Sequence, residues 1–62
     1  MIDYEKLREF LKQQIIDEDG NGDINNLHGW PSVAYDCICE GGPDYLVRFA
    51  VEEKIDLKDF SH

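Results

Sequence analysis

The densest group of chemically useful side chains lies between residues 17 and 23. Asp17, Asp19 and Asn21 alternate, and Asp23 follows the glycine at position 22. Alternation of oxygen-bearing side chains on a chain that turns sharply at glycine can gather donors around a hard cation. Calcium takes six to eight oxygens at about 2.3–2.6 Å, so this chemistry is sound. The same residue types also favour turns for conformational reasons alone, and an acidic surface loop is the competing reading. A second group is Cys37 and Cys39, with His28 as the only other soft donor in the body of the chain. On a helix the two thiols point roughly 200° apart, so they cannot readily share a metal. Zinc usually takes four nitrogen or sulfur ligands, and a fourth is missing. The cysteines are therefore expected to be structural, as small hydrophobes.

The stretch Asp17 to His28 resembles the twelve-residue calcium loop of EF-hand and dockerin proteins. Asp17, Asp19 and Asn21 match positions one, three and five, Gly22 matches the turn at six, and Asp23 matches the carbonyl ligand at seven. Ile24 matches the apolar eighth position. His28 departs from the pattern at position twelve, where those families place an acidic ligand. The resemblance implies a weak calcium site using Asp17, Asp19, Asn21 and Asp23, and it covers no more of the chain than this loop.

Nothing else reads as a reaction centre. His28 and Cys37 lack the strand–turn–helix setting of an activated nucleophile. His62 is terminal and is expected to be mobile. Glu52 and Glu53 are adjacent and diverge, which suits a solvated face. Gly20-Asn21-Gly22 and Gly41-Gly42 lack the lysine of a phosphate loop. A non-enzymatic protein is expected.

Charge sets the function class. The chain has 62 residues, 14 of them acidic and 6 basic, for a formal net charge of -8. Such a surface is repelled by phosphate backbones and anionic membranes, which argues against direct nucleic-acid or membrane binding. It is attracted to cations and to basic protein surfaces. Surface acids also serve solubility alone. No apolar run approaches the roughly 20 residues of a membrane helix. The first residues lack the basic start and apolar stretch of a signal peptide, which predicts a cytoplasmic protein.

The elements that would carry these groups are helical. Tyr4, Leu7, Leu11 and Ile15 recur at three and four, with Phe10 widening the stripe, which predicts a first helix over 3–16 capped by Asp3. Residues 17–26 read as a loop, and Trp30 is expected to anchor the next stretch to the core. Pro31 suits the first turn of a second helix bearing Val33, Ala34, Cys37 and Ile38 on one face, stopped by Gly41 and Gly42. Asp44 is expected to cap a third helix, with Leu46, Val47, Ala50 and Val51 as its apolar arc and Phe49 beside it. Leu57 and Phe60 pack from a short final turn. The expected architecture is a single all-α, three-helix domain over 1–62 with an acidic Gly/Asn-rich loop after the first helix. Alternation at Val33, Tyr35, Cys37 and Cys39, and again from Tyr45 to Val51, leaves an α+β alternative with a hairpin at 32–52.

From composition, the expected function is an acidic binding or inhibitor protein. It would dock a basic, nucleic-acid-handling protein by setting carboxylates where phosphates would lie. Small inhibitors encoded by phages and mobile elements, including anti-CRISPR and anti-restriction proteins, have this composition. The contact residues would be Asp17, Glu18, Asp19, Asp23, Glu52, Glu53, Asp56 and Asp59, with Trp30 as an interface anchor. The alternatives are a weak calcium-binding module and a structural or assembly subunit.

Overall fold

A computed structural model describes residues 1–61, and the expectation for His62 falls outside them. Three helices follow one another: α1 (Tyr4–Asp19), α2 (Trp30–Glu40) and α3 (Pro43–Glu52). Short 3₁₀ turns at Ile24–Asn26 and Leu57–Phe60 fill the gap after α1 and close the chain. Residues 32–52 thus fold into two helices, and the hairpin alternative falls.

α1 begins where the Asp3 carboxylate accepts the Lys6 backbone N–H at 3.1 Å, with Glu5 in the first turn. Its stripe buries Leu7, Leu11 and Ile15. α1 touches every other element, and α2 and α3 meet mainly through it. α2 contributes Ile38, α3 contributes Leu46 and Ala50, and Leu27 and Phe60 complete the core. Each fully buried aliphatic side chain of this size stabilises the fold by about 1.5–3 kcal/mol relative to exposure. The two ends of the chain are tied: the Asp3 N–H donates to the Phe60 carbonyl at 2.7 Å, and Phe60 meets Phe10 edge-on at 5.3 Å.

Several expectations need correction. Helix α1 does not stop at Ile16 but continues through Asp19. Gly20 ends it, buried against the loop it leads into. A Cβ at Gly20 would strike the backbone carbonyls of Asp23 and Ile16. Asp44 does not cap α3: Gly42 occupies that position, and Asp44 lies in the first turn. The apolar arcs are also narrower than the spacing suggests, since Val33, Cys37 and Val51 are exposed. Helices of ten or eleven residues crossing one partner bury only the strip that faces it.

One side chain locks the crossing of α1 and α2. The Arg8 guanidinium donates to the Ile38 carbonyl at 3.2 Å and to the Cys39 carbonyl at 2.6 Å. These are among the last carbonyls of α2, which have no partner within the helix and carry the negative end of its dipole.

Candidate acidic docking face

The largest correction concerns Trp30. It does not enter the core but stands 82% exposed as the first residue of α2. Gly29 precedes it as the N-cap, with a φ of 68° that favours glycine, and Pro31 follows in the first turn of the helix. Leu27, 8% exposed, anchors this stretch instead.

Trp30 edges a hollow of about 250 Å³ formed where α1, α2 and α3 come together. Its apolar wall is Ile15, Pro31, Ala34 and Phe49, and its acidic rim is Glu18, Asp19 and Glu53. A second hollow of about 310 Å³ lies along α1 between Phe10, Gln13 and Asp17. Gln14 and Glu18 line both, so they form the ridge between them. Neither hollow is lined by a lysine or an arginine. The Gln14 Oε1 is shielded from solvent and has no hydrogen-bond partner among the described residues.

The acids of this face break a local rule. A helix C-terminus carries partial negative charge, and cations are favoured there. The last turn of α1 has no basic residue and instead holds Asp17, Glu18 and Asp19. Asp17 is steadied by the Gln13 amide, which donates to its Oδ1 at 2.9 Å. Folding α1 through Asp19 also brings Glu53, from the end of α3, to the hollow that Glu18 and Asp19 line. Four like charges therefore stand around two apolar depressions. Violations of local consistency of this kind concentrate at functional sites.

The remaining acids are placed differently. Asp23 caps the 3₁₀ turn after α1, accepting the Asn25 N–H at 2.9 Å. Asp56 does the same for the last turn, accepting the Lys58 N–H at 2.9 Å. Both have local structural work. Glu52 and Asp59 are exposed and line neither hollow.

The loop that resembles a calcium site has its own internal bonding. The Gly20 and Gly22 N–H groups both donate to the Ile16 carbonyl, at 2.9 and 3.0 Å. The Asp23 carbonyl accepts the Asn26 N–H at 3.0 Å. Asn21 and Gly22 both take positive φ, 55° and 87°, so the sharp turn expected at Gly22 is present. Asp17 and Asp19 lie in the helix. Among the described residues, no three His, Cys, Asp or Glu side chains gather as metal ligands. His28 is exposed, and Cys37 and Cys39 are free thiols on α2. Burial pushes the Tyr45 phenol above its ordinary value, and Cys37 beside it adds to the shift.

Of the residues lining the first hollow, sequence reasoning singled out Glu18, Asp19, Glu53 and Trp30 as contact candidates, but not the residues between them. Gln14 and Phe49 make the walls. Gln14 lies next to the buried stripe residue Ile15, four residues before Glu18, and that spacing was the available signal. No family model, curated protein or solved structure matches the chain. Among the described residues no helix is long and apolar enough to cross a membrane.

Proposed function

We propose that this is a non-catalytic docking protein whose acidic face, edged by Trp30, binds a basic surface on another protein. The observation that carries the reading is the crowding of Asp17, Glu18, Asp19 and Glu53 around hollows that no basic residue lines. In the free protein these charges repel one another and the end of α1. A cationic partner removes that cost, and the exposed Trp30 adds apolar contact. The best candidate partner is a protein that handles nucleic acid, because its phosphate-binding surface already presents lysines and arginines. Carboxylates held on a helical body would then occupy phosphate positions, and binding would compete with nucleic acid.

The test is affinity capture on immobilised protein, with the retained protein identified. We expect a basic protein held at low salt, released at high salt, and displaced by added duplex DNA or RNA. A matched capture uses the triple variant Glu18→Gln/Asp19→Asn/Glu53→Gln and should lose it. A partner retained equally by both proteins and at high salt would overturn the reading in favour of an apolar assembly interface.

A further inference from the structure

The hollow between the three helices has a shape and lining that select among cations. We propose that it seats an arginine side chain of the partner, carried on a basic segment. This rests on the docking role above and specifies its chemistry. Three observations on the same few residues carry it.

The first is Trp30. An indole left 82% exposed at the edge of an apolar hollow is open to a partner. A guanidinium is planar and weakly hydrated, and it stacks on an indole with both cation–π and dispersion contact. A lysine ammonium is compact and strongly hydrated, and it gains less by leaving water.

The second is the mix of surfaces that line the hollow. Ile15, Pro31, Ala34 and Phe49 supply apolar wall, and Glu18, Asp19 and Glu53 supply the acidic part. An arginine carries the two matching chemistries on one side chain, an apolar stem and a charged fork. The fork can meet a carboxylate through two parallel N–H donors.

The third is Gln14. Its Oε1 accepts no hydrogen bond among the described residues although it is shielded from solvent. Gln14 walls both hollows. Turning its amide toward either hollow offers a guanidinium or a peptide N–H a neutral acceptor between the acids. That oxygen gives up no bond within the described residues when it serves the partner.

Trp30 is the only tryptophan in the chain, so its emission reports on this seat alone. The probes are a short amidated peptide alternating arginines with leucines and its counterpart in which every arginine is lysine. Their charge is identical. The arginine peptide should change Trp30 emission saturably and bind about five- to tenfold more tightly than the lysine peptide. With labelled peptide, Trp30→Ala should erase the arginine preference, and Gln14→Leu should weaken the arginine peptide more than the lysine one. Circular dichroism melts of both variants check that they fold. Equal binding of the two peptides, unchanged by Trp30→Ala, would overturn the arginine seat and leave acidic docking standing. Failure of both peptides to bind at low salt would overturn both.

Discussion

Exchanging Glu18 for glutamine should make the free protein more stable, whereas the same exchange at Glu5 should make it less so. Both substitutions remove one negative charge from a chain of net charge -8, so relief of overall repulsion is common to the two. Both residues are exposed and both lie in α1, so glutamine replaces glutamate with similar helix propensity. They differ in which end of the dipole they face. Glu5 sits in the first turn, where negative charge is favoured, and Glu18 in the last, where it is opposed. At exposed positions each effect is about 0.3 kcal/mol at low ionic strength, so the pair should differ by about 0.6 kcal/mol. For a domain of this size that separates the two melting midpoints by about 2–5 °C. Thermal melts in low salt read the difference directly. Added salt should shrink it, because surface charges are screened beyond about 10 Å at 0.1 M. Equal midpoints, or a lower midpoint for Glu18→Gln, would refute the claim that α1 ends in charges the fold itself does not want.

Three further outcomes follow from the packing. Arg8→Met keeps an apolar stem but loses both bonds to the α2 carbonyls. It should cost about 2 kcal/mol and lower the melting midpoint by about 8–16 °C, whereas Lys6→Met, with the same charge change at an exposed site, should move it little. Gly20→Ala drives a methyl into two backbone carbonyls that cannot move independently, and should cost about 1–3 kcal/mol in urea unfolding. Tyr45 gives a pH signature. Its folded value is raised above 10.0, so the stability it contributes is present at lower pH and is lost as pH rises through and beyond that point. Melts in the alkaline range should fall more steeply for the native chain than for Tyr45→Phe.

The helical frame was legible because its signals are local. Leu7, Leu11 and Ile15 recur at the helical repeat, Asp3 is a capping residue, and Pro31 and Pro43 sit where a helix can open. The end of α1 was not legible, because Asp17, Glu18 and Asp19 look like loop residues when judged by propensity and dipole. Their helix is continuous with the buried Ile15 and carries the Gln13 bond to Asp17, an i,i+4 pair that was open to a reading by spacing but was outweighed by the turn residues that follow. Trp30 was misplaced for a related reason. Size and hydrophobicity argue for burial, but Trp30 opens α2 directly after the positive-φ Gly29, and Leu27 takes the core position of this stretch. The acids split in a way composition could not foresee: Asp23 and Asp56 cap turns, and Glu53 joins Glu18 and Asp19 only through the packing of α3 on α1.

The most direct trial of acidic docking is the association rate with the captured partner, followed by stopped-flow Trp30 emission across a range of ionic strength. Electrostatic steering predicts a rate that falls steeply as salt rises, and a much flatter dependence for the Glu18→Gln/Asp19→Asn/Glu53→Gln variant. A rate indifferent to salt, and the same in both proteins, would contradict it.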